Sequence, residues 1–551
     1  MILLLVSVFT ESSDFDDGGE DETPVVADGL WMRIFGEDVA PDSFPFLAAA
    51  GPVHAPPPDS EPIEYAKLFI TDELVDILVM ESNRYGDQWI AKNQKYLQAY
   101  PKSMVRESIN QGSFSKEEMY AFISVILNMR LLNKPTIESY WDSVNPSQAT
   151  PWFNMRLSKD RFFLIMMFLH FANNDDAPGE DHADFKLYKI NPLIKFFNKK
   201  FKRYFIPHKD ISIDESMVGF KGKTPHLRQY IPNKHHTRFG VKLRCLSDSA
   251  SGYTVGFEVY KGAHEDEKQA EEATHTLVMR LMAACRLLHL GYHLGLNNFF
   301  TSPRLLFDLF ESQTSATGTV RRNRKGLPPS VIKAKLQNKQ VCERRKRMML
   351  CVAYKDGSKQ PMLLSTHSSA GFQRIINSRG KEKTLPMCVI HYNRAMGRVD
   401  LSDARLYRYL SERRTMKWTN KVAFSLIGRS LLNAYIIYSE NTSDRPKKSK
   451  YQFTVSVIEN MVPQKTIKTE IAETCAAPPF QINPNPACPA VPGPSPCTLV
   501  KLPVGKRRDC AYKQKHTKRV RSSYQCATCD VGLCPQCFSP YHSPKKVFTK
   551  Q

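Results

Sequence analysis

Three aspartates and one run of cysteines are the residues of this chain best suited to chemistry. Asp214 lies in Ile211-Ser-Ile-Asp214-Glu215, inside an otherwise apolar, β-branched stretch. Asp400 and Asp403 lie in Arg398-Val-Asp400-Leu-Ser-Asp403, at i and i+3, on one helical face. Two-metal phosphoryl transfer needs carboxylates that converge from separate elements. One Mg²⁺ then activates the attacking oxygen and the other stabilises the leaving oxygen. An acid ahead of a helix also serves as a cap, and an acid in a strand can simply face water. The spacing alone leaves both readings open.

Basic loops follow these acids. Lys221, Lys223, Arg228, Lys234 and Arg238 come after the Asp214 strand, and Arg321, Arg322, Arg324 and Lys325 come after Thr319. Bases beside a carboxylate site can hold a phosphate backbone; a solvated charged face is the plainer alternative. The cysteines read more sharply. Cys510 is followed by Cys526-Ala-Thr-Cys529 and Cys534-Pro-Gln-Cys537, with His542 five residues on. Each CxxC pair presents two thiolates to one tetrahedral ion, so a structural zinc is expected. Lys513 stands where a partner of Cys510 belongs in a two-zinc module, with His516 as a substitute.

The elements that must position these groups are legible in outline. Tyr65–Met80, Glu117–Leu132 and Leu157–Phe171 read as helices. After Pro207 the texture changes to strands at Ile211–Val218, Gly240–Leu246 and Tyr253–Tyr260. A helix at Glu265–Leu288, a strand at Gly291–Leu296, a helix at Ser302–Ser312 and a strand at Thr317–Val320 follow. That order suits an RNase H-like α/β core, although periodicity alone does not select it. Asp400–Leu410 and Trp418–Tyr438 are helical, the latter returning to the first helical region. Eight prolines in 478–496 mark an extended linker.

The charge sorts the function classes. Among 551 residues, 77 Lys+Arg against 55 Asp+Glu give +22. Residues 1–64 carry a net −13, so the remainder is strongly basic and implies a polyanionic partner, nucleic acid first. No run reaches the ~18 apolar residues that span a bilayer, so no membrane partner is expected. Met1–Phe9 is apolar but lacks a basic n-region and reads as a poor signal peptide. The length suits three or more domains.

The motifs, in order, resemble the piggyBac transposase family. The matching strings are Ser212-Ile-Asp214-Glu-Ser-Met-Val-Gly-Phe-Lys-Gly222, Tyr230-Ile-Pro-Asn-Lys234, Arg238-Phe-Gly-Val-Lys242, Asn297-Asn-Phe-Phe-Thr-Ser302, Gly318-Thr-Val-Arg-Arg-Asn-Arg-Lys325, and His391-Tyr-Asn-Arg-Ala-Met-Gly-Arg-Val-Asp400-Leu-Ser-Asp403. The resemblance implies an RNase H-like core with an insertion domain, helical DNA-binding and dimerisation regions, and a zinc-bearing tail that reads transposon ends. It implies cutting and rejoining at TTAA sites with Mg²⁺ held by three aspartates and a nearby fourth acid. Those positions fall on Asp214, Asn297, Asp400 and Asp403; the second is not an acid. A neutral amide is a poor Mg²⁺ ligand, so strand cutting is expected to be impaired.

The resemblance divides the chain into an acidic disordered arm (1–64), a helical region (65–205, completed by 411–460) and the core (206–323 and 387–410). An insertion (324–386), a Pro-rich linker (461–504) and the zinc module (505–551) complete it. Its Mg²⁺ candidates are Asp214, Asp400 and Asp403. Its zinc candidates are Cys510, Cys526, Cys529, Cys534, Cys537 and His542. The expected function is a nuclear, homodimeric, transposase-derived DNA-binding protein with no small-molecule substrate; the alternative is an active cut-and-paste transposase.

Overall fold

The computed structural model describes residues 30–101, 103–106, 112–182, 184–222, 227–232, 237–262, 270–376, 380, 382–407, 417–442, 446–462, 499–503, 506–511, 520–527 and 530–542. Lys223, Lys234, Cys529, residues 1–29 and most of the Pro-rich linker lie outside them. The chain forms two compact units, 1–474 and 475–551.

The first described residues of this unit form a strap. Strand β1 (Met32–Arg33) pairs antiparallel with β10 (Val341–Lys346), and a two-residue strand, β2 (Gly51–Pro52), pairs with β3 (Phe205–Ile206). Trp31 is buried and its Nε1 donates to Gly326 O at 3.0 Å. Asp38 takes a two-pronged ion pair from Arg345 and accepts from Ala370 N at 2.6 Å. Phe44 and Phe46 pack on Phe310 and Tyr292. Residues 30–64 are acidic in sequence, yet these aromatic and ionic anchors hold them down, which corrects the expectation of disorder for that part.

Helices α1 (Pro62–Lys67), α2 (Asp72–Lys92), α3 (Lys116–Leu131) and α4 (Lys159–Phe168) follow. Local signals start them. Thr71 caps α2 by accepting from Leu74 N, and Ser158 caps α4 by accepting from Arg161 N. Ser115 and Glu118 form a reciprocal capping box on α3. Glu118 also pairs with the buried Arg161 at 2.6 Å, locking α3 to α4. In α5 (Asn191–Tyr204), Leu193, Phe196, Phe197 and Phe201 form the stripe buried toward the sheet.

The sheet is built from β4 (Asp210–Gly219), β5 (Arg228–Tyr230), β6 (Phe239–Asp248), β7 (Thr254–Val259), β8 (His293–Leu296), β9 (Ser315–Thr319), β10, β11 (Met349–Tyr354) and β12 (Met362–Ser365), with β1 at one edge. Strands β4, β6 and β7 form an antiparallel run. After α6 (Ala270–Ala284), β8 adds parallel to β4; after α7 (Pro303–Glu311), β9 adds parallel to β8. The local order is therefore β7-β6-β4-β8-β9. Residues 341–365, within the segment assigned to an insertion, continue this sheet through β12, β11 and β10. The hairpin β13 (Phe372–Ile376) and β14 (Glu382–Pro386) leads into α8 (Met387–Ala395) and α9 (Arg398–Tyr407).

Helix α10 (Trp418–Asn441) packs against α1 and α5, and α11 (Lys450–Asn460) packs against α1 and α3. Among the described residues α10 is the one helix long and apolar enough to cross a membrane. Within its most apolar window 83% is buried inside the protein, so its apolar surface is core.

Candidate active site

The parallel pairing of β4 and β8 builds the site. Ile213 stands opposite Leu296, which brings Asn297, the first residue past β8, beside Asp214. Asp214 is 9% exposed. Asn297 Nδ2 donates to Asp214 Oδ1 at 2.7 Å and to Glu215 Oε2 at 2.8 Å. Its Oδ1 accepts from Phe299 N at 2.9 Å, which sets the amide's orientation. Thr301 Oγ1 donates to Asn297 O at 2.8 Å and closes the turn. Gly318 on β9 makes room for that turn: a Cβ there would lie 2.2 Å from Thr301 Oγ1 and 2.8 Å from Leu296 O.

Asp400 lies on α9, which packs against β4. The buried Tyr392 lies on α8, which also packs against β4. Burial raises its hydroxyl pKa, and the charges of Asp214 and Asp400 both push it further up. Of the sequence-predicted positions, Asp214 and Asn297 are in direct contact.

Asp403 has a different duty. Its Oδ1 accepts from Ser216 Oγ at 2.7 Å and from Arg429 Nη2 at 2.9 Å, in a buried ion pair. Arg429 also donates to Ser216 Oγ at 2.8 Å and Thr254 Oγ1 at 3.1 Å. One guanidinium thus ties α9 and α10 to β4 and β7. Asp403 acts here as a positioning residue that holds the Asp400 helix on the Asp214 strand. Arg429 is not legible in the sequence, because one base amid the apolar residues of α10 carries no spacing signal.

The second basic string borders the acids. Phe299, two residues past Asn297, has Lys242 Nζ 5.4 Å and Arg321 5.8 Å from its ring centre, and Arg324 donates to its carbonyl. Arg322 and Lys325 are exposed. In the first string, Lys221, Arg228 and Arg238 are exposed near the β4–β6 end, where Tyr230 and Phe239 pair at 4.6 Å.

A divalent cation requires oxygen lone pairs directed at it. Between Asp214 and Glu215 the structure instead directs N–H bonds. As arranged, these residues do not fit a two-cation site.

The second unit contains a small sheet, β15 (Leu499–Lys501), β18 (Tyr524–Cys526) and β19 (Val531–Gly532). It also has the pair β16 (Arg508–Asp509) and β17 (Arg521–Ser522), and the helix α12 (Pro535–His542). Pairing of β16 with β17 and the start of α12 bring Cys510, Cys534 and Cys537 together, their sulfurs all within 4.8 Å of one another. Cys510 Sγ and Cys534 Sγ are 3.9 Å apart, close to the ~3.8 Å that two ~2.3 Å Zn–S bonds give in a tetrahedron. This donor set fits a zinc ion. Cys526 is buried in the same small core. Among the described residues Cys510 groups with the second CxxC pair, an association the sequence spacing does not specify. Cys529 and the side chain of His542 lie outside the described residues.

Comparison with known proteins agrees with this geometry. A family model described as "Transposase IS4" matches residues 61–435. Human PiggyBac transposable element-derived protein 3 is 26% identical over 520 residues, covering 90% of this chain and 79% of that protein. Human PiggyBac transposable element-derived protein 2 is 24% identical over 399 residues, covering 68% of this chain and 61% of that protein. The cryo-EM structure of a piggyBac transposase synaptic complex with hairpin DNA superposes with a TM-score of 0.65 at 21% identity, covering 89% of this chain and all of that one. With its matched region spanning most of its length, the chain belongs to the piggyBac transposase family.

Proposed function

We propose that this chain is a transposase-derived DNA-binding protein whose strand cutting is impaired at Asn297. The observation that carries the reading is the Asn297 amide nitrogen 2.7 Å from Asp214 Oδ1, where a cutting site needs a cation held by anionic oxygens. The order β7-β6-β4-β8-β9 supports an RNase H-like core, with 324–386 as its insertion and 65–205 plus 411–460 as the helical DNA-binding and dimerising region.

Arg321, Arg324 and Lys242 around Phe299, with Lys221, Arg228 and Arg238 on the neighbouring strands, supply the charge for a phosphate backbone. The tail at 505–551 supplies a zinc-held module with a strongly basic sequence. A nuclear homodimer follows as the working context for such a protein.

The test is a pair of assays on the full chain. DNA binding should weaken steeply with salt, while Mg²⁺-dependent cleavage of DNA carrying the element's own ends stays at background. Robust hairpin formation by the wild-type chain would favour the active transposase instead.

A further inference from the structure

The amide of Asn297 does more than remove a ligand. Its two N–H bonds are shared between two carboxylates from one strand, Asp214 at 2.7 Å and Glu215 at 2.8 Å. Consecutive strand residues ordinarily point to opposite faces. Here both acids turn to one nitrogen, midway along β4 where Asn297 arrives past the last paired residue of β8. Glu215 N also donates to Asp214 Oδ1 at 2.8 Å, holding the two side chains in register. Asn297 Oδ1 is engaged by Phe299 N, so exposing it to a cation means breaking three hydrogen bonds at once.

We infer that the Asn297 amide takes the structural place of the divalent cation, bridging Asp214 and Glu215 so that this site is organised without metal. The inference rests on the proposed loss of cutting, and it adds Glu215 as a second bridged carboxylate. It follows that the wild-type site does not need a cation to keep its shape. A chain with Asp at 297 would place three carboxylates around one point without the bridging amide, and would need a cation. Asn297→Ala removes the bridge without adding charge.

The test uses the full-length, zinc-loaded protein with Mn²⁺ as the probe. Binding is read by Mn²⁺ electron paramagnetic resonance and stability by thermal unfolding, with Asp214→Asn as the control for Mn²⁺ bound elsewhere. Wild type should bind no more Mn²⁺ than the control and show no Mn²⁺-dependent shift in Tm. Asn297→Asp should bind Mn²⁺ about tenfold or more tighter and lose Tm without metal, recovering it with Mn²⁺. Adding Glu215→Gln to Asn297→Asp should weaken that gain. Asn297→Ala should lose Tm and recover part of it with Mn²⁺, which keeps the test decisive if Asn297→Asp folds poorly. Wild-type Mn²⁺ binding equal to that of Asn297→Asp, and abolished by Asp214→Asn, overturns the inference. If that wild type still fails to cut DNA, the proposed function survives the loss; if it cuts, the proposed function falls as well.

Discussion

Asn297 Nδ2 lies 2.7 Å from Asp214 Oδ1, so the residue past β8 meets its partner on β4 with a proton rather than a lone pair. A hydrogen-bond donor therefore stands at the junction of β4 and β8.

The buried pair of Asp403 and Arg429 should matter for stability rather than chemistry. Asp403→Ala leaves the Arg429 guanidinium buried without its carboxylate, and a loss of about 3–5 kcal/mol is expected. The double change Asp403→Leu with Arg429→Met should recover most of that loss, because both charges are then gone. Denaturant unfolding of the single and double variants measures this directly.

Asp248 and His208 predict a pH profile. Asp248 is fully buried at the end of β6 and accepts from His208 N, His208 Nδ1, Ser251 N and Ser251 Oγ. Burial alone raises its pKa, but the hydrogen bonds from His208 and Ser251 outweigh that and lower it. The His208 pKa is raised, chiefly by its hydrogen bond to Asp248. The Asp248 contribution is present above its unfolded pKa of ~3.9 and is lost as pH falls through the folded value. The His208 contribution is complete below ~6.5 and is lost as pH rises through its folded value. Stability from this pair should therefore be greatest between about pH 4 and 6.5. Asp248→Asn should cost about 1–3 kcal/mol and flatten both limbs in pH-dependent urea unfolding.

Zinc should be held by the second unit alone. Cys534→Ser should lower the zinc content measured by elemental analysis and destabilise the second unit, while thermal unfolding of the first unit stays unchanged.

Arg321 and Arg324 border the acids through Phe299. Replacing both by Ala should weaken DNA binding across sequences and reduce the salt slope by about one for each phosphate they neutralise. An unchanged slope would remove them from the DNA path.

Much of the core was legible from local signals. Thr71, Ser115 and Ser158 cap the helices they precede, and the β-branched run around Asp214 is the strand that bears it. Asp214 and Asn297 stand out in the sequence by motif, and the parallel register of β4 with β8 makes them neighbours. What stayed hidden depends on long-range interactions. Arg429 lies 213 residues from Ser216, and Arg345 lies 307 from Asp38. The strap at 30–64 reads as a disordered acidic arm until Trp31, Asp38 and Phe46 find partners hundreds of residues away. Strand alternation directs Glu215 away from Asp214, so nothing in the sequence pairs the two.

The central claim is that Asn297 is what impairs strand cutting. It is tested most directly by Mg²⁺-dependent cleavage of DNA carrying the element's ends, with wild type and Asn297→Asp run side by side and Asp214→Asn as the inactive reference. Wild type should match the Asp214→Asn reference, and Asn297→Asp should exceed both by about a hundredfold or more. Wild-type cleavage equal to that of Asn297→Asp, and abolished by Asp214→Asn, would contradict the claim.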